Sequence, residues 1–325
     1  MTDDAQNTTR RRRWPTVTAL TLSTPVLALA AFLAVVRIGG LDDGTVLALP
    51  IVVLPYVALA TLVVLALLLA LRCRRTGALA ALLVVLQLWW IVPRTVPDAD
   101  SAPAAAPRLR VATSNAYLGQ VSPKSLVDLV REQRVDVLAV EELSTSAADA
   151  LDRAGIRELL PHRERPAGTD TALYSRLPIT SAADPAWPTT NITVDLAGHP
   201  VQLVAVHTYY PLGDARRWAD GLHDLRKAAP GRTRDAVLLG DFNATLDHSP
   251  MRDLIATGLA DTAADLGHGL APTWPEDNAD FPHLPPLIQI DHVLHGPALT
   301  AVAISEHTLP RSDHRAVVAE LALKG

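Results

Sequence analysis

Three long apolar stretches lie in the first hundred residues of this 325-residue chain, and they limit its possible folds more than any other feature. They run from about Thr16 to Val36, from Val46 to Leu71 and from Ala78 to Val92. The first two reach the roughly 20 apolar residues that a helix needs to cross a bilayer. The third is shorter, but it contains Trp89 and Trp90, whose indole rings suit a membrane interface. We therefore expect three transmembrane helices.

Arginine residues beside these stretches predict their orientation. Arg10 to Arg13 precede the first stretch and Arg72 to Arg75 separate the second from the third, whereas Asp42 and Asp43 lie between the first and the second. Loops rich in Lys and Arg stay in the cytoplasm, so the chain beyond the third helix is expected outside the membrane. A cleaved signal peptide is the alternative for the first stretch. Its length and the two apolar stretches that follow favour a spanning helix.

The remaining chain has the composition of one globular domain. Residues 1–100 hold nine Lys/Arg and six Asp/Glu, whereas residues 101–325 hold twenty and twenty-eight, a net charge of −8, and all eleven histidines. A single cysteine, Cys73, excludes an intramolecular disulfide and a cysteine-based zinc site. We expect a cytoplasmic N-terminus (1–13), a three-helix transmembrane anchor (14–92), a Pro/Ala-rich tether (93–107) and an extracytoplasmic domain (108–325).

Short β-rich segments and two helical segments alternate beyond the tether, a pattern that predicts an α+β sandwich. The expected strands are Leu109–Ser114, Val135–Val140, Ala172–Ser175, Ile192–Leu196, Val201–His207, Ala236–Gly240, Asp291–Leu294 and Ala316–Leu321. The expected helices are Ser122–Gln133 and Ala215–Ala228. Polar side chains follow several of the strands directly, and strand ends that meet at one edge of a sheet can form a site.

Six of these segments resemble motifs of the endonuclease/exonuclease/phosphatase superfamily, which includes DNase I-like nucleases and inositol polyphosphate phosphatases. In chain order they are Ala112-Thr-Ser-Asn115, Asp136-Val-Leu-Ala-Val-Glu-Glu142, Val206-His-Thr208, Gly240-Asp-Phe-Asn-Ala244, Ile290-Asp-His-Val293 and Ser312-Asp-His314. Each motif alone is weak, but six in the right order over residues 108–323 are specific. The resemblance implies a four-layer α/β/β/α sandwich, preceded here by three transmembrane helices, and metal-dependent hydrolysis of phosphate esters.

The resemblance also implies a metal site. Glu142 matches the family's metal-binding glutamate, Asn115 matches the asparagine beside it, and Asp313 matches a further acidic ligand. Oxygen ligands of this kind suit Mg²⁺ or Mn²⁺. The chain departs from the family in having Glu141 where glutamine usually stands and Gln289 where arginine is common. The additional carboxylate of Glu141 is expected either to raise metal affinity or to face solvent.

Five further residues are implied to be catalytic. Asp241 and Asn243 match the pair that positions the attacking water and the scissile phosphate. Asp291 matches a carboxylate that orients the imidazole of His314 close to the phosphorus. His207 matches a histidine that contacts phosphate or protonates the leaving oxygen. The division of general-base and second-metal roles among Asp241, Asp313 and His314 stays open.

Charge and architecture narrow the substrate class. A net negative domain without a run of Lys/Arg opposes the DNA backbone, and an anchor near the active site favours a lipid-linked phosphate. The three-helix architecture resembles actinobacterial membrane proteins associated with resistance to glycopeptide antibiotics such as teicoplanin, which implies hydrolysis of a polyprenyl phosphate, a pyrophosphate or another envelope phosphoester. The expected partners are the bilayer and a phosphorylated lipid, nucleic acid is less expected, and no protein partner is indicated. The alternatives are an extracytoplasmic nuclease and a catalytically idle module that binds an envelope precursor or antibiotic.

Two segments allow a functional and a structural interpretation. Tyr209 and Tyr210, with Arg216 and Arg217, could hold a second phosphate or a head group, or could be a packed tyrosine pair beside a solvated helix. The Pro-rich segment from Thr273 to Leu287 could dip into the membrane interface, shape the substrate entrance, or be an ordinary ordered loop.

Overall fold

The computed structural model describes residues 3–276 and 282–324, with side chains from residue 18 onward. The side chains of the predicted cytoplasmic arginines Arg10 to Arg13 and part of the Thr273–Leu287 segment therefore lie outside the described residues.

The N-terminal apolar stretches form four helices and one turn of 3₁₀ helix. These are α1 (Asp3–Gly39), α2 (Ala48–Ile51), α3 (Leu54–Ala70), α4 (Arg74–Ile91) and the turn Val92–Thr95. Among the described residues, two segments are long and apolar enough to cross a membrane, Thr18–Gly39 and Arg74–Thr95, each of 22 residues.

The three predicted transmembrane helices are thus not confirmed. The stretch that lacks a long helix is the second and not the third. It is divided into α2 and α3 near Pro50 and Pro55. Proline lacks the amide hydrogen that continues a helix and is favoured at a helix start, and α3 has Pro55 in its first turn and only 17 residues. The helices pack on one another through Leu33, Leu54 and Leu83.

The described chain beyond the anchor folds into two six-stranded sheets. The strands are β1 (Arg108–Asn115), β2 (Val137–Glu141), β3 (His162–Glu164), β4 (Ala172–Ser175), β5 (Ile179–Ala182), β6 (Asn191–Leu196), β7 (His199–His207), β8 (Ala236–Asp241), β9 (Ala260–Asp261), β10 (Asp291–His295), β11 (Leu299–Thr308) and β12 (Arg315–Leu323). The first sheet has the order β11-β12-β1-β2-β4-β3 and the second β5-β6-β7-β8-β10-β9. All eight predicted strands are present, within two residues at each end.

Helices cover the outer face of each sheet. They are α5 (Pro123–Gln133), α6 (Thr145–Arg153), α7 (Ile156–Leu159), α8 (Pro211–Ala228), α9 (Ser249–Ile255) and α10 (Thr262–Asp265). Leu126 of α5 packs in the cluster that contains Leu138 of the first sheet. Trp218 of α8 packs in the cluster that contains Leu238 of the second. A third cluster fills the space between the sheets, so the predicted α+β two-sheet sandwich is confirmed.

Side-chain alternation along the strands directs polar residues into one end of the space between the sheets. Val111 of β1 and Leu239 of β8 belong to the inter-sheet cluster, and Asn115 and Asp241 lie on the same faces further along each strand. Registers align Asn115 with Glu141, and Asp241 with both His207 and Asp291. The apolar core between the sheets therefore ends in a cluster of polar side chains.

The anchor packs directly on the domain. Asp247, which is 1% exposed, accepts hydrogen bonds from Arg37 Nε at 3.1 Å and Arg94 Nη2 at 2.7 Å. The Ser249 amide donates to Asp42 Oδ2 at 2.7 Å. The predicted tether also contacts the domain, because the amides of residues 98 and 99 donate to the carbonyl of Asp265.

Candidate active site

Asn115 and Glu142 lie at the ends of the parallel strands β1 and β2. The buried Asn115 Nδ2 donates to Glu142 Oε1 at 3.0 Å and to Asp241 Oδ2 at 3.1 Å. Glu142 adopts a left-handed backbone conformation with φ 51°, and its Oε2 accepts a hydrogen bond from the amide of Leu118 at 2.8 Å. This strained position turns the carboxylate back toward Asn115.

Asp241 ends β8, and the chain turns sharply after it. Asp241 Oδ1 accepts the amide hydrogen of Asn243 at 2.8 Å, and Asn243 Nδ2 donates to Asp241 Oδ2 and to the carbonyl of Thr208, both at 3.1 Å. Asn243 has φ 48°, which asparagine tolerates better than most residues. Gly240 has φ 146°, and a Cβ there would lie 1.9 Å from the carbonyl oxygen of Val206. Glycine is therefore required directly before Asp241.

Asp291 and His314 form a buried pair at the start of β10 and immediately before β12. His314 Nδ1 lies 2.9 Å from Asp291 Oδ2, and its Nε2 lies 3.8 Å from Asp241 Oδ2. Thr273 Oγ1 accepts the amide hydrogen of Asp291 at 3.2 Å. Asp313 accepts a hydrogen bond from Trp274 Nε1 at 3.3 Å. Sequence reasoning did not single out the positioning role of Thr273.

His207 ends β7 and pairs with a residue that the sequence did not reveal. Its Nδ1 lies 2.8 Å from Asp170 Oδ2, and its Nε2 lies 3.8 Å from Glu142 Oε1. Asp170 precedes β4 and belongs to none of the six motifs. Because β4 runs antiparallel to β2, its beginning lies at the same edge as the end of β2. The sequence signal that could have identified Asp170 is its position just before an antiparallel strand.

Burial and mutual charges shift the pKa values of the central residues. Burial raises the pKa of Asp241 to about 6, although the positive charge of His314 acts in the opposite direction. Burial opposes protonation of His314, but the charges of Asp291 and Asp241 outweigh it and raise its pKa to about 10. For His207, burial is outweighed by the Asp170 hydrogen bond and by the charge of Asp241, which raise the pKa to about 9. At neutral pH both imidazoles are therefore cationic.

The residues present fit a divalent cation. Asp241 and Asp291 offer carboxylate oxygens, which lie with a ring nitrogen of His314 within 4.8 Å of one another. Asp291 Oδ1 and Asp313 Oδ1 are buried without a hydrogen-bond partner among the described residues. Buried carboxylate oxygens without a donor are costly, and a hard cation such as Mg²⁺ or Mn²⁺ satisfies them with oxygen coordination. The structure thus offers two neighbouring groups of oxygen ligands. One contains Asp241, Asp291 and Asp313, and the other is the predicted pair Glu142 and Asn115.

A cleft of about 1130 Å³ opens above these residues. The structure brings all the predicted site residues to this one place, either lining the cleft or hydrogen-bonded to residues that line it; they are Asn115, Glu142, His207, Asp241, Asn243, Asp291, Asp313 and His314. Buried carboxylates beside cationic imidazoles are suited to binding a phosphate ester with a metal and to moving protons between water and the leaving group.

The sequence from residue 112 to residue 314 matches the Endonuclease/Exonuclease/phosphatase family. The chain belongs to this family. The family comprises hydrolytic phosphoesterases and nucleases, so the chain is a hydrolase of this kind.

Solved structures of similar fold come from different organisms. A humanised D. rerio TDP2 aligns with TM-score 0.52 and 15% identity over 66% of this chain and 99% of that one. An endonuclease/exonuclease/phosphatase from Beutenbergia cavernae aligns with TM-score 0.51 and 21% identity over 67% and 72%. A conserved protein of unknown function from Enterococcus faecalis aligns with TM-score 0.51 and 14% identity over 66% and 100%. At these identities the similarity shows the fold alone. No functionally curated protein is significantly similar to the chain in sequence.

The departure from the family at Glu141 has a structural explanation. Its side chain is fully buried, so the expectation that it could face solvent is wrong. Thr113 Oγ1 donates to Glu141 Oε1 at 2.8 Å, and burial raises the pKa of the carboxyl to about 8. Glu141 is therefore uncharged at neutral pH and resembles the family's glutamine in charge and size. The other departure, Gln289, lines a smaller cavity between the anchor and the domain.

Proposed function

We propose that this family member is a membrane-anchored, Mg²⁺- or Mn²⁺-dependent phosphohydrolase that acts outside the membrane on a lipid-linked phosphate or pyrophosphate. The single observation that carries the proposal is that the anchor contributes to the catalytic cleft. Leu49 of α2 and Val52, the residue after it, line the same cleft as Glu142, Asp241 and His314. A substrate in this cleft therefore contacts apolar residues at the base of the candidate spanning helices.

The charge of the cleft supports a lipid phosphate over a nucleic acid. Of the described residues that line it, six are acidic, and Arg217 is the one with a permanent positive charge. Binding of a polyanionic backbone relies on several Lys or Arg contacts to phosphates. A single arginine instead suits one additional phosphate. The guanidinium carbon of Arg217 lies 4.3 Å from the centre of the Tyr209 ring, and both side chains line the cleft.

In the proposed reaction, a water molecule attacks phosphorus and the bond from phosphorus to the leaving oxygen breaks. Asp241 accepts a proton from the attacking water. The imidazolium of His314, oriented by Asp291, donates its Nε2 hydrogen to a nonbridging oxygen. His207 donates its proton to the leaving oxygen. A bound divalent cation would supply further neutralisation of the phosphate charge.

Arg37 at the end of α1 and Arg94 after α4 both pair with Asp247, so both helices end on the side of the domain. With α3 running back between them, the flanking arginines favour an extracytoplasmic domain. A hydrolase placed there is suited to recycling a polyprenyl pyrophosphate carrier, and a role in glycopeptide resistance would follow from altered supply of cell-envelope precursors. This finer assignment rests on the architecture and on the chemistry of the cleft.

The test uses the full-length protein in nanodiscs with Mg²⁺ or EDTA, incubated in parallel with a polyprenyl pyrophosphate and with plasmid DNA. We expect phosphate release from the lipid that requires the metal and is lost in His314→Ala, in Glu142→Ala and in Asp241→Ala. His223→Ala is the matched control, because His223 lies outside the cleft and pairs with Asp43 at the anchor. DNA nicking without lipid hydrolysis would overturn the lipid assignment, and no turnover of either substrate would favour a binding module.

A further inference from the structure

A second cavity lies between the anchor and the catalytic domain. It has a volume of about 330 Å³, which falls in the range of about 300–1,000 Å³ typical of ligand pockets. On the anchor side it is lined by α3 and the residues before it, including Val52, Tyr56 and Leu59. On the domain side it is lined by Leu270 and Leu287, which come from separate loops.

This cavity adjoins the catalytic cleft. Val52 and Ile288 line both spaces, so the two meet at these side chains. A ligand with its phosphate at Asp241 and His314 can therefore extend past Val52 without leaving the protein surface. We call the space beyond Val52 and Ile288 the α3 groove.

The outer end of the α3 groove is apolar and open. Leu59, Leu270 and Leu287 are 63%, 40% and 40% exposed. Large apolar side chains that cluster in an exposed position mark a binding surface for apolar groups. Leu59 lies on α3, which packs against both candidate spanning helices, so this end faces the layer where lipid chains would lie.

Packing holds the two walls of the groove together. Tyr56 Oη donates to the carbonyl of Leu287 at 2.5 Å. The ion pairs of Asp247 with Arg37 and Arg94 join the ends of α1 and α4 to the loop after β8. The groove is therefore formed by the docking of the anchor on the domain, and neither part provides it alone.

We propose that the α3 groove binds the hydrocarbon chain of the substrate, which enters sideways from the bilayer and places its phosphate in the catalytic cleft. This proposal rests on the proposed lipid phosphohydrolase function and assigns its chain-binding site. The lining also contains the polar residues Arg94, Asp247, Thr245 and Gln289, of which Arg94 and Asp247 are paired with each other. The larger, apolar part of the lining, the open end beside the candidate spans and the wall shared with the catalytic cleft together select a hydrocarbon chain over a polar ligand. Trp274 lines the cleft and Leu287 lines the groove, so these two residues would form part of the substrate entrance.

The test measures kcat/KM for dimethylallyl pyrophosphate and for geranylgeranyl pyrophosphate, which carry the same head group on a short and a long chain. The full-length protein in nanodiscs is compared with Leu287→Asn, which makes the groove wall polar, and with Leu270→Trp, which fills it. Leu284→Asn is the matched control, because Leu284 lies in the same segment with a similar exposure of 38% and lines neither cavity. We expect both groove variants to lower the long-to-short ratio of kcat/KM by about tenfold or more, and the control to leave it unchanged.

A second readout does not depend on turnover. A long-chain alkyl phosphate with a diazirine at its terminal carbon is photolysed with His314→Ala in nanodiscs, and labelled peptides are mapped. We expect label on Tyr56, Leu59 or Leu287, and less label when Leu270→Trp is added. If the wild type and the groove variants hydrolyse both pyrophosphates with the same long-to-short ratio of kcat/KM, the α3 groove does not bind the chain. The proposed function would then still stand. Hydrolysis of neither pyrophosphate would overturn the proposed function, and the photolabel then decides the groove by itself.

Discussion

Asp247 joins the anchor to the catalytic domain, and its replacement by asparagine provides a quantitative test of that junction. The carboxylate is 1% exposed, and its partners Arg37 and Arg94 are 13% and 8% exposed. Removing one member of a buried ion pair typically costs about 3–5 kcal/mol, because an uncompensated charge stays buried. Here two guanidinium groups lose their shared partner. For a domain of about 150–250 residues, this corresponds to a fall in Tm of roughly 6–20 °C, at about 2–4 °C per kcal/mol.

The assay is thermal unfolding of the full-length protein in detergent, followed by tryptophan fluorescence. Trp90 reports on the junction, because Arg37 lies 4.4 Å from the centre of its ring. Asp253→Asn is the matched control, since Asp253 and its partner Arg226 are 49% and 51% exposed. An exposed pair of this kind contributes at most about 1 kcal/mol.

A double-mutant cycle separates the pair energy from other effects. Arg94→Gln combined with Asp247→Asn is expected to unfold at a higher temperature than the sum of the single losses predicts, because the two changes remove interacting charges. If the free energies of unfolding of Asp247→Asn and Asp253→Asn differ by less than about 0.5 kcal/mol, the buried ion cluster does not hold the anchor on the domain and the reasoning is wrong.

Three further predictions concern the site. Burial raises the pKa of Glu141 to about 8, so between about pH 4.5 and 8 the folded protein holds a proton that the unfolded chain releases. The free energy of unfolding therefore falls as pH rises across that window. In EDTA, Glu141→Gln is expected to make the change in Tm between pH 5 and 8 smaller. Asp170→Asn removes the hydrogen bond that helps keep the pKa of His207 near 9, and is expected to move the alkaline limb of the kcat/KM profile to lower pH. Arg217→Gln is expected to raise KM for a lipid pyrophosphate about tenfold, with a smaller effect for a lipid monophosphate, whereas Arg216→Gln changes neither.

Each of these has a contrary outcome. A Glu141→Gln protein whose Tm falls as steeply as the wild type between pH 5 and 8 would show that the buried carboxyl is not the source of the slope. Asp235→Asn is the control for Asp170→Asn, since Asp235 pairs with His199 at 2.9 Å outside the cleft, and equal shifts in both would remove Asp170 from the site. Equal KM changes for pyrophosphate and monophosphate in Arg217→Gln would exclude a second-phosphate contact.

Much of the fold is predictable because it depends on short-range patterns. The short, mostly apolar and β-branched segment Val201–His207 predicts a strand, which the structure buries on both faces. Ser122 followed by Pro123 marks the start of α5 where the structure has it. Polar residues directly after apolar strands identify most of the site, since parallel strands bring their ends to one edge. The prediction of three spanning helices counted apolar residues and did not consider Pro50 and Pro55. Their missing amide hydrogens break the second apolar stretch, so α3 has only 17 residues.

The amino-acid sequence by itself determined the strands, the order of the motifs and the identity of the residues that meet at the sheet ends, because these depend on side-chain periodicity and backbone sterics within a few residues. Only the tertiary structure decided that Asp170 faces His207, that Glu141 is buried and uncharged, that Asp247 joins two distant arginines and that a groove connects α3 to the catalytic cleft. Burial, charge pairing and cavity shape depend on distances between residues far apart in the chain, and those distances exist only once the sheets and the anchor have packed together.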